Sequence, residues 1–393
     1  MQVRFLLGVP RVNKNMKYLF ELGRHPKLSR AEIEHVFLRL HIQIQDTMLT
    51  PDGLIITPSA PLDPNYLMSQ LGGTIKIAEE MAELKNPTTD IADYLIATTP
   101  TTKIQFSLSG KDARRIAMTV KKGLVSREKS VRLIEANNTA TIIHNNLIER
   151  GADLTFTNGS LFVTRAVQPI EELSARDYGR PGRDARNGML PPKLARMVVN
   201  LGISDCAIQK IKLLDPFCGS GTVLAEALLV GVANIVGSDL SDKAVSDSKK
   251  NIEWVRGESS DKPTSVHIFQ CDVKKIQTHL KPKSVDVIVT EPLLGSPLTG
   301  KETREQLQKQ TRELATLYVD AFKTFQKILK PGGTAVFIIP QFLHKNEWFK
   351  VGCVEEIKQL GFVPQPLTGS ELSLLYHRPG QFIARNIWKF QLH

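Results

Sequence analysis

The residues with the clearest chemical potential are acidic side chains placed where short apolar segments end. They are Asp215, Asp239, Asp272 and Glu291. From about Leu194 onward, apolar segments alternate with helix-like segments, which predicts a parallel sheet covered by helices on both faces. The carboxyl ends of the strands in such a sheet form the edge that binds ligands. The acids are therefore predicted to line one binding edge.

A glycine-rich turn follows the first of these acids, in the segment Asp215-Pro216-Phe217-Cys218-Gly219-Ser220-Gly221-Thr222. Glycines let the backbone pass close to a ligand. The spacing is not the GxGxxG of dinucleotide folds, and it lacks the lysine that a P-loop needs after its second glycine. An acid directly before the turn would repel a phosphate, but it suits the ammonium group of a methionine moiety.

The next two acids fit the rest of the same ligand. Asp239 lies 20 residues beyond Gly219 and suits an acceptor for two ribose hydroxyls, and Asp272 suits an acceptor for the exocyclic amine of adenine. Ammonium, ribose and adenine together describe S-adenosyl-L-methionine (AdoMet). The alternative is that each acid only caps a helix, but three acids in register beside a glycine turn favour the cofactor. Cys218 is predicted to be a passive wall of the turn, because no histidine lies nearby in the sequence.

The fourth acid begins the segment Glu291-Pro292-Leu293-Leu294-Gly295. Methyltransferases of nucleobase amines usually carry Asp or Asn, Pro, Pro and an aromatic residue here, and they act mainly by positioning the amine. Glu291 and Pro292 keep the two hydrogen-bond acceptors, whereas Leu294 replaces the aromatic residue and loses base stacking worth about 1–3 kcal/mol. Either Glu291 orients the amine in a reshaped pocket, or the chain binds AdoMet and RNA without the usual reaction.

The charge of the chain is concentrated in two stretches. The 393 residues include 51 Lys and Arg against 40 Asp and Glu. Residues 111–132 hold eight basic and two acidic side chains, and residues 176–196 hold six and two. Each could be a solvated helix face, but together they favour a track for a phosphate backbone. The side chains predicted to contact RNA are Lys111, Arg114, Arg115, Lys121, Lys122, Arg127, Lys129, Arg180 and Arg183.

Composition excludes several classes of protein. The four cysteines form no CxxC pair, which argues against a structural zinc site and a secreted disulfide scaffold, and no metal is expected. No apolar run reaches the roughly 18 residues of a membrane span, and no signal peptide is evident. We expect a soluble cytoplasmic protein without a membrane partner.

The first 165 residues predict strands alternating with helices in an α+β arrangement. Within them, Ser29 and Glu32 are predicted to form a capping box at the start of a helix that runs to about Leu40. The segment Thr139–His144 is predicted to be a strand. Residues 168–193 are rich in glycine and proline, which predicts a linker or ordered loop.

The whole chain resembles the THUMP-domain tRNA guanosine-N2 methyltransferases that modify guanosine 10. The most specific segments are the Asp215 turn and Met189-Leu190-Pro191-Pro192-Lys193-Leu194-Ala195-Arg196. The resemblance also includes Tyr18–Gly23, Leu28–Ile33, His144-Asn145 and Arg176–Asp184, and the N-terminal match is the weaker one.

The resemblance implies an α/β class I (Rossmann-like) methyltransferase domain with an N-terminal α+β ferredoxin-like and THUMP region. The implied divisions are residues 1–75 (ferredoxin-like), 76–167 (THUMP-like, RNA-binding), 168–193 (linker) and 194–393 (methyltransferase). The implied reaction is AdoMet-dependent methylation of a guanosine N2 amine in tRNA, and some relatives need a small activating protein. Methylation of another RNA, DNA or protein amine, or an RNA-binding role without catalysis, stays open.

The predicted site follows from the motifs and the resemblance together. Glu291, Pro292 and Leu294 are the expected catalytic residues. The expected cofactor-binding residues are Asp215, Phe217, Gly219, Gly221, Thr222, Asp239, Asp272, Pro192 and Leu194.

Overall fold

The structure is a computed structural model that describes residues 16–99, 103–183, 189–204, 206–257 and 265–393. The chain divides into two compact units. Unit 1 comprises Met1–Arg24, His41–Gln70 and Thr74–Ile170, and unit 2 comprises His25–Leu40, Leu71–Gly73 and Glu171–His393. No helix in the described ranges is both long and apolar enough to cross a membrane.

The secondary structure elements are numbered along the chain. The strands are β1 (Tyr18–Leu22), β2 (Ile44–Thr50), β3 (Gly53–Pro58), β4 (Thr74–Glu83), β5 (Lys103–Gly110), β6 (Ser130–Leu133), β7 (Asp153–Thr157), β8 (Ser160–Val167), β9 (Lys212–Asp215), β10 (Asn234–Asp239), β11 (Ser265–Gln270), β12 (Val285–Thr290), β13 (Leu329–His344), β14 (Glu347–Lys350), β15 (Phe362–Gln365), β16 (Ser373–Tyr376) and β17 (Ile383–Leu392). The α-helices are α1 (Pro26–Arg39), α2 (Pro64–Gln70), α3 (Pro87–Thr98), α4 (Ala113–Val125), α5 (Thr139–His144), α6 (Ile170–Ser174), α7 (Pro192–Gly202), α8 (Thr222–Leu229), α9 (Asp242–Gly257), α10 (Arg304–Ile328) and α11 (Val354–Gln359).

Unit 1 is built on one mixed sheet with the strand order β2-β3-β1-β4-β8-β7-β5-β6. Neighbouring strands are antiparallel from β2 across to β7, and β5 pairs in parallel with both β7 and β6. Helix α4 buries Ile116, Val120 and Leu124 in the core of this unit. Because these residues recur every four positions, they occupy one face of the helix, and the basic side chains are left on the other.

Unit 2 contains a second sheet with the strand order β11-β10-β9-β12-β13-β17-β15. The strands from β11 to β13 are parallel, and β17 runs antiparallel between β13 and β15. The strand order reverses between β9 and β12, and this is where open α/β sheets form their ligand crevice. The predicted parallel sheet and binding edge are therefore present.

Helices cover both faces of the second sheet. Along β12, Val287 and Val289 join the core beneath α7 and α8, whereas Ile288 joins the core beneath α10. Alternate residues of a strand point to opposite faces, so a continuous apolar strand fills two cores. This packing explains why the strands of unit 2 read as unbroken apolar segments.

The predicted capping box at Ser29 is wrong. Helix α1 begins at Pro26, a residue favoured at the first helical position, so Ser29 lies inside the helix. Its hydroxyl donates to the Gly73 carbonyl oxygen over 2.8 Å. The Glu32 carboxylate accepts from the backbone N–H groups of Gly72 and Gly73, and burial raises its pKa to about 6. Both side chains hold the 72–73 backbone instead of capping a helix.

The predicted strand at 139–144 is also wrong, because these residues form α5. Asn138 caps this helix by accepting from the Thr141 N–H over 2.9 Å. The β-branched residues suggested a strand, but the local Asn cap favours a helix. Within the predicted linker, α6 is followed by a π-helical turn over Ala175–Gly179.

Candidate active site

The glycine turn connects β9 to α8 at the point where the strand order reverses. Gly219 and Gly221 both have positive φ, +51° and +82°, a region that glycine adopts without strain. A Cβ atom on Gly221 would lie 2.4 Å from the Ser248 hydroxyl, so only glycine fits there. Around Gly219 the same test finds open space. The turn therefore has open space beside Gly219, and its contact with a ligand stays a prediction.

Asp215 lies at the end of β9 and joins two strand ends. Its Oδ1 accepts from the Thr290 hydroxyl at the end of β12 over 2.6 Å and from the Phe217 N–H over 3.1 Å. The side chain is 2% exposed. Burial raises the pKa of Asp215 to about 7, against the lowering effect of these hydrogen bonds. A buried carboxylate with this pKa gains from a cationic ligand group.

Asp239 and Asp272 lie at the next two strand ends. Asp239 accepts from the Gly219 N–H and the Ser241 N–H, both over 2.9 Å, so it fixes the turn as well as facing the binding edge. Asp272 caps a 3-10 turn by accepting from the Lys274 N–H over 3.0 Å. A carboxylate has about four acceptor positions. Both acids therefore keep free acceptor positions.

The other predicted cofactor residues have different surroundings. Pro192 begins α7 and is buried, and Leu194 is fully buried in the core. Phe217 packs partly against the core beneath α10. Burial raises the pKa of the Cys218 thiol well above its usual range, so this thiol stays protonated. Among the described residues, Cys218, Cys271 and Cys353 form no disulfide.

Glu291 follows β12 and forms an ion pair with Arg385 of β17. Arg385 Nε donates to Glu291 Oε1 over 2.5 Å, and both side chains are 12% exposed. Among the described residues, no group donates to Glu291 Oε2. Sequence reasoning missed Arg385, which lies 94 residues away and reaches Glu291 only because β17 inserts antiparallel beside β13.

The two leucines after Pro292 have different surroundings. Leu293 is 58% exposed, and its carbonyl oxygen accepts from the buried Tyr318 hydroxyl over 2.7 Å. Leu294 is partly buried against the core beneath α7. Leu294, at the position of the usual aromatic residue, is therefore partly buried. Leu293 exposes more apolar surface to solvent than Leu294 does.

The second basic stretch is largely buried. Arg176 Nε donates to Glu226 over 2.7 Å, and Arg196 Nη2 lies 2.6 Å from the same carboxylate. Arg180 is 5% exposed, which does not fit the predicted contact with RNA phosphate. Arg183 is exposed and lies over the Tyr178 ring, 5.9 Å from its centroid.

The first basic stretch is largely exposed, in and around α4 of unit 1. Arg115 lies 3.6 Å from Asp112, and Arg127 pairs with Asp93. The side chains of this stretch that the structure leaves exposed are Lys111, Arg114, Arg115, Lys122, Arg127 and Arg132. Lys121 and Lys129 are half-buried. Surface ion pairs of this kind are weak, so the charges remain available to a polyanion.

The sheet order, the glycine turn and the acids at the strand ends define a class I AdoMet-dependent methyltransferase domain. Residues 180–351 match the family described as "UPF0020: RMKL-like, methyltransferase domain". This match supports the predicted methyltransferase domain over these residues. The fold of the chain is similar to the crystal structure of TrmN from Thermus thermophilus, with a TM-score of 0.54, 15% identity and 96% and 100% coverage of the two chains.

Curated relatives carry names of guanine-N2 methyltransferases. A tRNA (guanine(10)-N2)-dimethyltransferase of Methanothermobacter thermautotrophicus is 29% identical over 203 residues, 51% of this chain and 53% of the relative. The U6 snRNA (guanine-N(2))-methyltransferase THUMPD2 of Bos taurus is 27% identical over 135 residues, 34% of this chain and 23% of the relative. The matches thus span about half of the first relative and a quarter of the second. They confirm the predicted resemblance to THUMP-type guanine-N2 methyltransferases.

Proposed function

We propose that this protein methylates the exocyclic N2 amine of a guanosine in tRNA, with AdoMet as methyl donor. The observation that carries the proposal is the hydrogen bond from Thr290 to Asp215. This bond joins the end of β12 to the end of β9, the strand that leads into the glycine turn. Glu291 and Pro292 come directly after β12, so the two proposed acceptors lie next to that turn.

The cofactor side of the site fits AdoMet. Asp215 is buried and suits the ammonium, Asp239 and Asp272 keep free acceptor positions, and the glycine turn leaves room for a ligand. When bound, AdoMet would supply a methyl group attached to a sulfonium, and the lone pair of an amine nitrogen can attack that methyl carbon. The acids also stabilise a cationic ligand by charge.

The acceptor side fits an amine. Arg385 fixes one carboxylate oxygen of Glu291, which leaves Oε2 for an N–H of the substrate. The Pro292 carbonyl is a second acceptor, because proline still carries a C=O group. Two acceptors aim the nitrogen lone pair away from themselves, so the residues work by positioning. Leu293 provides an exposed apolar surface for the base.

Unit 1 supports an RNA substrate. The exposed basic residues in and around α4 suit a phosphate backbone, and the names of the relatives suggest tRNA. We propose that residues 1–75 are the ferredoxin-like part, 76–167 the THUMP-like part, 168–193 the connection and 194–393 the methyltransferase domain. We also propose a cytoplasmic location, which the thiol form of Cys218, Cys271 and Cys353 supports. The activating protein partner stays a prediction.

Methyl transfer to defined RNA tests the proposal. The full chain is incubated with methyl-labelled AdoMet and unmodified tRNA, and the digested nucleosides are identified by mass spectrometry. We expect label on guanosine N2. Label on another amine would support a different methyltransferase, and label only in snRNA would change the RNA class. Measurable binding of AdoMet and tRNA without any label would support the alternative hypothesis, an RNA-binding protein without catalysis. Leu293 and Leu294, which replace the usual Pro and aromatic residue, are compatible with that alternative.

A further inference from the structure

The last part of the chain carries basic side chains without acidic ones. Residues 372–393 include Arg378, Arg385 and Lys389 and contain no Asp or Glu. Two of these cations are used inside unit 2, because Arg385 pairs with Glu291 over 2.5 Å and the buried Lys389 donates to a serine hydroxyl over 2.9 Å. Arg378 lies between β16 and β17 and is half-buried, and no carboxylate of the described residues lies within ion-pair distance of it. Its charge is therefore available to a ligand.

The Arg378 guanidinium is held against Tyr376. Its Nε donates to the Tyr376 hydroxyl over 2.9 Å, and the guanidinium carbon lies 5.7 Å from the centroid of the tyrosine ring. The tyrosine ring in turn lies 4.3 Å from the ring of His25. The backbone is closed into a turn by the Gln381 N–H, which donates to the Arg378 carbonyl oxygen over 3.1 Å. Only Nε of the guanidinium is used in these contacts, so its two NH₂ groups remain for a ligand.

Tyr376 places this guanidinium beside the acceptor end of the site. In the pairing of β16 with β17, Tyr376 lies directly opposite Arg385, the residue that pairs with Glu291. Side chains that are opposite each other in an antiparallel pair lie on the same face of the sheet, about 5 Å apart. Tyr376 and Leu294 also pack partly against the same core, beneath α7. Arg378 thus lies two residues beyond the cross-strand neighbour of the acceptor ion pair.

A second cation lies near Arg378. Lys193 is in the first turn of α7, where neighbouring groups remove solvent from its ammonium and lower its pKa. The positive charge of Arg378 lowers this pKa further, and Asp177 raises it by less than Arg378 lowers it. Two cations that repel each other are stabilised by an anion close to both. The pair therefore favours an anionic ligand group.

We infer that Arg378 and Lys193 bind a backbone phosphate of the RNA substrate, next to the nucleotide that is methylated. A guanidinium offers N–H groups in a plane that matches two phosphate oxygens, and an ammonium adds a compact charge. Contacts to phosphate position a nucleic acid without reading its sequence. Such a contact holds the RNA while Glu291 and Pro292 hold the amine. The inference rests on RNA as the substrate of the proposed function, and it adds a contact that lies in unit 2.

The salt dependence of tRNA binding tests the phosphate contact. Unmodified tRNA is titrated into the full chain and its variants at several salt concentrations. For Arg378→Gln we expect several-fold lower affinity, and a slope of log K against log salt concentration that is smaller in magnitude by about 1. Lys193→Gln should change the slope in the same direction, whereas Arg378→Lys keeps the charge and should keep the slope. Lys281→Gln is the matched control, because it removes an exposed charge before β12, at the sheet edge opposite the acceptor end.

A neutral linkage in the RNA tests where the phosphate lies. The labelling experiment identifies the methylated guanosine, and a synthetic tRNA then carries one uncharged methylphosphonate on either side of it. Each linkage follows a 2′-deoxynucleotide, which keeps it intact, and the control tRNA has the deoxynucleotide alone. On one side of the guanosine, the neutral linkage should weaken binding to the wild type but not to Arg378→Gln, which has already lost the contact.

Three results would overturn the inference. The first is an unchanged salt slope in both Arg378→Gln and Lys193→Gln, or an equal change in Lys281→Gln. The second is equal weakening of the wild type and Arg378→Gln by the neutral linkage on both sides. The third is weaker binding of AdoMet alone to Arg378→Gln, which would make the cofactor the anionic ligand. Failure of the proposed function would appear separately, as wild-type protein that leaves guanosine unlabelled, because the salt slopes need no turnover.

Discussion

The two ends of the catalytic sheet edge differ in how their acids are held. At the cofactor end, backbone N–H groups and a hydroxyl from nearby elements hold Asp215 and Asp239. At the acceptor end, a guanidinium from a distant strand holds Glu291. A backbone-held carboxylate depends little on side chains elsewhere, whereas an ion-paired one depends on its partner. If the proposed roles are right, changes at Arg385 should affect the acceptor end more than the cofactor end.

The largest expected effect is on turnover at the acceptor end. Glu291→Ala removes the acceptor that orients the amine, and we expect kcat to fall roughly 10²- to 10³-fold. Glu291→Gln keeps one oxygen acceptor and is expected to lose less. Steady-state kinetics with unmodified tRNA measures both. Equal kcat in Glu291→Ala and the wild type would remove Glu291 from the chemistry.

Asp215 is expected to make stability depend on pH. Its folded pKa is about 7 against an ordinary 3.8, so the folded state binds the extra proton. The contribution of Asp215 to the free energy of unfolding is therefore fully present below pH 3.8. It is lost as the pH rises from about 4 to about 7, and the total loss is about 2–4 kcal/mol. Glu32 acts in the same direction over a narrower range.

Denaturant unfolding of the ligand-free chain at pH 5 and pH 8 measures this effect. Asp215→Asn copies the protonated form, so we expect a smaller loss of stability on going to pH 8. Glu32 is unchanged in the variant and accounts for the part that remains. A loss as large as that of the wild type would show that Asp215 is already ionised in the folded state.

Arg385 is expected to act through Glu291. Arg385→Met frees the Glu291 carboxylate to adopt other positions, and we expect a roughly 10-fold lower kcat with little change in AdoMet affinity. Arg385→Lys keeps a charge and should recover part of the loss. In a double-mutant cycle with Glu291→Gln, the two losses should not add. Additive losses would mean that Arg385 has only a structural role.

The smallest effect is expected in unit 1. Arg114→Ala combined with Arg115→Ala removes two exposed charges of α4, so the affinity for tRNA should fall several-fold. The slope of log K against log salt concentration should decrease in magnitude by about 1 for each lost phosphate contact. Lys281→Ala, an exposed charge in unit 2, is the control and should leave the slope unchanged. Binding titrations at several salt concentrations measure the slope. An unchanged slope in the α4 variant would show that Arg114 and Arg115 face solvent and do not contact RNA.

The cofactor end could be predicted because its signals are local. Each acid follows its own apolar strand, and the glycines lie within a few residues of Asp215. Strand periodicity and turn chemistry are short-range properties of a sequence. The parallel sheet and its binding edge were predictable for the same reason.

The acceptor end and the second basic stretch could not be predicted, because their partners are distant. Nothing near Glu291 indicates Arg385, which approaches only through the antiparallel insertion of β17. Arg176 looks like a surface charge until Glu226, 50 residues later, is placed beside it. The predicted capping box of Ser29 and Glu32 is wrong for the same reason, because Glu32 accepts from Gly72 and Gly73, which lie far along the chain.

AdoMet affinity in Asp239→Ala and Glu291→Ala tests the division of the site most directly. Calorimetric titration without RNA is expected to show roughly 10- to 100-fold weaker binding for Asp239→Ala, because ribose loses a charged acceptor and the turn loses a support. Glu291→Ala is expected to bind AdoMet as the wild type does, although its turnover is lost. Equal losses of AdoMet affinity in the two variants would contradict the separation of cofactor and acceptor ends.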